Sequence, residues 1–135
     1  VVDFENCLGI VEPDFIKACQ RAQQRNPGIK KVAKTVRESI SSSHNRINGV
    51  LWTGHQSLES RLYDLTHIVD RVGSGDAFMA GLIAGWLHKQ SEQQTLELGV
   101  ASCALKHSIE GDVNICSWSE VESLVRGENV GKLLR

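Results

Sequence analysis

Ile68-Val69-Asp70-Arg71-Val72-Gly73-Ser74-Gly75-Asp76-Ala77-Phe78 runs an extended apolar pair into a glycine-rich turn and then into a helix start. It marks where strands near the front of the chain give way to consecutive helices, an order that suggests α/β layering. It also carries chemistry. The first N–H groups of a helix lack internal partners, and the helix dipole adds positive potential there. Small residues at Gly73, Ser74 and Gly75 let a phosphate reach those amides without a side chain in the way. Asp76 would repel a phosphate so bound. Its position makes sense if a hydroxyl lies between the two and surrenders its proton, as in phosphoryl transfer, where the loose transition state needs only a weak base. Taken alone, the same residues also fit an ordinary turn with Asp76 as a plain N-cap. There is no G-K-[ST] and no G-x-G-x-x-G.

Two helices follow this turn, from about Asp76 to His88 and from about Gln94 to Lys106. Ala77, Gly81 and Gly85 recur every four residues on the first, a row that lets another backbone pack close. Leu96, Val100, Cys103 and Ala104 give the second an apolar face. A short helix from Ser119 to Arg126 is expected to open with a capping box of Ser119 and Glu122. Upstream, Pro13 to Gln24 reads as a helix with Phe15, Ala18, Cys19 and Ala22 as its buried stripe, stopped by Asn26-Pro27-Gly28. Lys31 to Ser39 alternates like a strand and Ser41 to Asn45 is polar loop. Gly49 to Thr53 and Ser60 to Leu65 form an antiparallel pair around Gly54, since the connection is too short for a crossover. The fold class is α/β, with a mixed sheet and flanking helices.

The chain has 135 residues, 41% hydrophobic and 23% charged, with a net charge of −1. This is globular composition. It offers no basic field for nucleic acid or an anionic membrane, so an anionic ligand must be held locally by a few aimed groups. Cys7, Cys19, Cys103 and Cys116 lack paired spacing and read as buried reduced thiols. The five histidines lack metal-ligand spacing, and no metal-binding residue is assigned. Trp52, Trp86 and Trp118 read as core or rim. The apolar run Ala77 to Leu87 is too short to span a bilayer, and no signal peptide opens the chain. A cytoplasmic location is expected, with room for a homo-oligomer.

Asp70 to Phe78, followed by Ala80-Gly81-Leu82, resembles the C-terminal signature of the phosphofructokinase-B and ribokinase family of carbohydrate kinases, which usually reads D-T-x-G-A-G-D-x-F-x-x-G. Thr35-Val36-Arg37-Glu38, Ser41 to Asn45, Gly49-Val50-Leu51, Ala104 to Ser108, Gly111-Asp112 and Gly131 to Arg135 are similar to the subgroup of 2-dehydro-3-deoxygluconate kinases. The resemblance covers most of Lys31 to Arg135. It implies a ribokinase-like layered fold of which residues 1–135 are a single C-terminal fragment, with the N-terminal half and the lid absent. Glu5 to Ile10 resembles the tail of the helix after the family's Asn-x-x-Glu motif.

The resemblance further implies an ATP- and Mg2+-dependent kinase that moves the γ-phosphate to the primary hydroxyl of 2-dehydro-3-deoxy-D-gluconate. The alternatives are a sibling sugar or nucleoside kinase and a non-catalytic nucleotide-binding fragment. The implied partners are a sugar or sugar acid and ATP. Asp76 falls on the family's general base and so also on the substrate site. Gly73, Ser74 and Gly75 fall on its anion hole, and Thr35 and Arg37 on a nucleotide-contacting segment. Asp112 falls on a substrate-contacting loop, or is a solvated turn acid. Arg37 stands where many relatives carry glycine, and Arg71 and Val72 replace the usual threonines.

Overall fold

The computed structural model describes residue 10 and residues 12–128. Glu5 to Gly9, Cys7 included, and Gly131 to Arg135 lie outside the described residues. The order is α1 (Phe15–Arg25), β1 (Val32–Ser39), β2 (Asn45–Trp52), β3 (Ser57–Glu59), β4 (Tyr63–Leu65), α2 (Ser74–Leu87), α3 (Glu92–Lys106) and α4 (Trp118–Val125).

The sheet has four strands, with β1 on one side of β2 and both β3 and β4 on the other. Its pairings are all antiparallel, so the parallel component of the expected mixed sheet is not found among the described residues. Strand β2 starts at Asn45, four residues before the expected Gly49, because β1 continues to Ser39 and pairs with its whole length. The single strand expected over Ser60 to Leu65 is instead two short ones. The break has a local cause: Ser60 Oγ accepts the Gly49 N–H at 2.8 Å, and the Arg61 N–H turns away to Glu97 of α3 at 3.1 Å.

One face of β2 presents Ile47, Gly49 and Leu51 to α2 and α3. These residues join Phe78, Leu82, Leu96, Val100, Ala104 and Leu124 in the main core. Gly49 is needed there, since an added Cβ would stand 2.5 Å from Val100 Cγ2. The alternate positions face α1: Trp52 Nε1 donates to Gln23 at 2.8 Å, and Lys34 lies over the Phe15 ring. The stripe expected on α1 is buried at Ala18, Cys19 and Ala22, with Asp14 as N-cap. Cys19, Cys103 and Cys116 form no disulfide among the described residues, and burial pushes Cys19 and Cys103 up to about 11. Trp86 and Trp118 sit at the rim; Trp86 donates to Glu92 and Trp118 stacks on His88.

Helices α2 and α3 touch backbone to backbone along the predicted small-residue row. A Cβ on Gly81 would lie 2.7 Å from Gly99 Cα and 2.7 Å from the Leu98 carbonyl, and one on Gly85 2.9 Å from Thr95 Cα. Helix α4 starts one residue earlier than expected. Its capping box is Ser117 with Glu120, not Ser119 with Glu122. Both pairs have the right spacing, but the Ser117 side chain is the one aligned with the Glu120 N–H.

The connection from β4 to α2 is tied down at both ends. Val69 N–H donates to the His107 carbonyl at 2.8 Å. Asp70 accepts the Val72 N–H through Oδ1 and the Gly111 N–H through Oδ2, both at 3.0 Å. Arg71 donates to the Ser42 carbonyl at 2.8 Å and to Asn45 Oδ1 at 3.3 Å. No helix among the described residues is long and apolar enough to cross a membrane.

Gly81→Val should destabilise the fold by roughly 1–3 kcal/mol, the usual worth of overpacking, read as a lower denaturant midpoint. Asp70 gives a pH-dependent counterpart. The Val72 N–H, then the Gly111 N–H, hold its carboxyl below the ordinary value. Such a group contributes stability that is complete above its unfolded value of about 3.9 and is lost as pH falls through the lower folded value. Asp70→Asn should therefore lower Tm at neutral pH, with a gap to the parent that narrows below about pH 3.9. A gap independent of pH in thermal melts would contradict this account.

Candidate active site

Helix α2 begins differently from the other described helices. Asp14, Ser91 and Ser117 each cap a helix with a side-chain oxygen. The N-cap of α2 is Gly73, in the left-handed region at φ 75°, with no side-chain cap. This corrects the plain N-cap reading of Asp76, which sits two residues inside the helix. Its carboxylate is exposed and has no hydrogen-bond or ion-pair partner among the described residues. The backbone turn is what makes this possible. Gly73 has no side chain to form its half of a capping box, and Asp76, three residues on, leaves the Gly73 N–H without a described acceptor.

The amides around this head are largely open. Ala77 N–H closes the first helical turn on the Gly73 carbonyl at 2.9 Å, and Ser74 N–H leans on the Arg71 carbonyl at 3.3 Å. The Gly73, Gly75 and Asp76 N–H groups have no protein acceptor among the described residues. A Cβ added at Gly75 would meet nothing within 4 Å, so the turn is open on the side-chain side of Gly75. Amides without a described acceptor at the positive end of a 14-residue helix are groups of the kind that can hold an anion. Ser74 is expected there with Gly73 and Gly75 through its backbone amide. Its side chain is buried, taking a bond from Arg37.

Asp112 comes to the same place through its backbone. A Cβ on Gly73 would stand 1.9 Å from the Asp112 carbonyl oxygen, so the loop after α3 rests directly on the glycine turn and only glycine fits. The Asp112 side chain is exposed. Its neighbour Gly111 is the residue that Asp70 clamps, so the two loops are joined covalently to the ends of α2 and α3 and by a hydrogen bond to each other.

Thr35 and Arg37 share the helix-facing side of edge strand β1, opposite Gly49 and Ile47 of β2. Thr35 is half-buried. Arg37 reaches further along the strand and crosses to the head of α2, where its Nη2 donates to Ser74 Oγ at 3.3 Å. The structure thus brings Arg37 to the glycine turn. Thr35 lies two residues back along the same strand.

Two residues at this site carried no role in the sequence reading. Arg71 appeared there only as a departure from threonine, yet it pins the Ser41 to Asn45 loop beside the turn. His107 is buried and stands 3.3 Å from Arg37 Nη2. A signal for its burial was present: it follows Cys103 by four residues, on the apolar face of α3. Lys106 is also fully buried, with its ammonium on the Ile109 carbonyl at 2.8 Å. Arg37, Lys106 and Arg71 all act electrostatically on His107. A chain of net charge −1 therefore sets three cations near His107, and of these Arg37 reaches the head of α2.

Comparison with known proteins agrees with this architecture. The profile of the pfkB family carbohydrate kinases matches residues 48–118. The 2-dehydro-3-deoxygluconokinase of Thermotoga maritima superposes with a TM-score of 0.84 at 35% identity, over 92% of this chain and 39% of that one. A PfkB family carbohydrate kinase from Listeria grayi does so with a TM-score of 0.84 at 30% identity, over 93% of this chain and 40% of that one. The 2-dehydro-3-deoxygalactonokinase of Haloferax volcanii is 33% identical over 66 residues, 49% of this chain and 21% of that protein. The chain spans about two fifths of the solved relatives. With its ribokinase-like portion of an α/β fold, it belongs to the pfkB family of carbohydrate kinases.

Proposed function

We propose that this chain supplies the general base and the phosphate-holding side of an ATP-dependent kinase for 2-dehydro-3-deoxy sugar acids, with 2-dehydro-3-deoxy-D-gluconate as the first candidate. The carrying observation is the head of α2, where an exposed carboxylate without a described partner adjoins open amides. The substrate class rests on the relatives named for the gluconate and galactonate acids. Its galactonate epimer is the second reading, favoured by the Haloferax volcanii match. Coverage of about two fifths of the solved relatives supports taking residues 1–135 as one part of a longer kinase domain.

The chemistry follows from the geometry. The γ-phosphoryl group rests on the Gly73, Gly75 and Asp76 amides, which stabilise charge on its equatorial oxygens. The sugar acid's primary hydroxyl oxygen attacks phosphorus from the side of Asp76. The bond from phosphorus to the β-phosphate oxygen breaks, the hydroxyl proton passes to the Asp76 carboxylate, and ADP departs. Proton transfer comes late in a loose transition state, so a carboxylate suffices as the base. Arg37 contributes positive charge at the nucleotide side, Thr35 lies behind it on β1, and Asp112 flanks the acceptor side.

The described residues bring together no three His, Cys, Asp or Glu side chains that could cage a metal ion. Magnesium, which binds chiefly through water, substrate phosphates and one or two carboxylates, would be held mainly by the nucleotide's phosphates. Its contribution when bound is to neutralise charge on those phosphates.

Asp76→Asn in the complete kinase should lower kcat by about 10²- to 10⁴-fold, the usual worth of a general base, while the KM for ATP changes little. Steady-state assays with ATP and the two epimeric acids check this and rank the substrates. Turnover near the parent level in that variant would remove the assignment.

A further inference from the structure

We propose that His107 is a positioning residue for the nucleotide phosphates: as a neutral imidazole with its proton on Nδ1, it accepts the Arg37 guanidinium at Nε2 and fixes that cation at the head of α2. The proposal rests on reading the α2 head as the phosphate site.

The tautomer follows from the partners. His107 Nδ1 lies 2.7 Å from the Cys103 carbonyl oxygen, which can only accept, so Nδ1 carries a proton. Nε2 lies 3.3 Å from Arg37 Nη2, and a guanidinium can only donate, so Nε2 is bare. Burial, then the cation Arg37 with Lys106 and Arg71 behind it, lowers the pKa of the ring, against the Cys103 bond, which raises it. These cations come from β1, α3 and the turn before α2, and all of them oppose a charged imidazole.

The arrangement spends one nitrogen of Arg37 and leaves the others. Nη2 gives one hydrogen to Ser74 Oγ and one to His107 Nε2. Nη1 and Nε have no acceptor among the described residues, so the remaining three donors of the fork are available to an oxyanion. The choice of acceptor matters. A carboxylate in place of His107 would orient Arg37 equally well but cancel its charge. A neutral imidazole orients it and leaves the positive potential intact. Ser74 contributes the second neutral acceptor, which accounts for its buried side chain.

The test separates the two ring nitrogens. Asn presents its amide near the place of Nδ1 and Gln near the place of Nε2. His107→Asn should keep the bond to Cys103 and release Arg37, raising the KM for ATP about tenfold, the worth of one charge-assisted hydrogen bond, with a much smaller change in kcat. His107→Gln should recover most of that loss, and Arg37→Ala should match His107→Asn without adding to it in the double variant. Thermal melts of each variant report folding separately. Nitrogen-15 spectra of the imidazole in the full chain should show Nδ1 protonated and Nε2 bare at pH 7, whatever the activity. A ring protonated at Nε2, or equal losses in the Asn and Gln variants, would overturn the proposal. Intact ATP affinity in His107→Asn would overturn it alone, whereas a parent protein that binds no ATP would remove the functional reading as well.

Discussion

The contact on which the rest of this structure depends is the close approach of α2 to α3. Gly81 and Gly85 admit the backbone of Gly99 and Thr95 to distances that no side chain would allow. Helix packing at that range fixes rotation as well as separation, because interiors packed to native density do not slide continuously. The sheet adds a third surface, since Gly49 receives Val100, Leu96 and Phe78. With α2 held on both sides, the direction of its first turn is set by the core. The head of α2 then points where the sheet and α3 aim it. The loops only need to leave it uncovered.

Local design, rather than overall charge, makes that head electropositive. The chain carries 15 basic and 16 acidic residues, so the mean field is close to zero. Against that background Arg37 crosses from β1 to the positive end of α2, with Lys106 and Arg71 acting on the same buried His107. Asp70 is the acid placed among them, and both its oxygens are occupied by N–H donors from Val72 and Gly111. Its charge is thereby spent on joining two loops. Asp76, like the exposed Asp112, has no described side-chain partner, and a carboxylate without one can accept a proton.

The architecture was readable where the signal was local and periodic. The buried stripe of α1, the turn at Gly54 and the glycine row of α2 all follow from spacing alone, and each is found. Legibility failed where a long-range contact overrode a local pattern. The Ser60 hydroxyl replaces a ladder bond to Gly49 and splits one expected strand into two. At α4 two capping boxes competed with identical spacing, and geometry chose Ser117 over Ser119. The site divides the same way. The glycine turn and Asp76 announce themselves as a contiguous motif, while the approach of Arg37 to Ser74 joins residues 37 positions apart. His107 and Arg37 are 70 apart. Nothing in either segment alone indicates the other.

The missing cap of α2 is best understood as a stability concession made at the site. A serine or aspartate at the N-cap position would contribute about 1 kcal/mol to the helix. It would also place an oxygen acceptor on the very amides proposed to hold a phosphate. Glycine at Gly73 removes the competitor, and its αL conformation lets the Asp112 backbone close in behind it. The cost is offset by contacts just outside the proposed anion site: the Asp70 clamp, the Arg71 tie to Ser42 and Asn45, and the His107 carbonyl on Val69. Local rules are broken where a ligand must enter and repaid one residue away, the pattern expected when a functional site is set into an otherwise self-consistent fold.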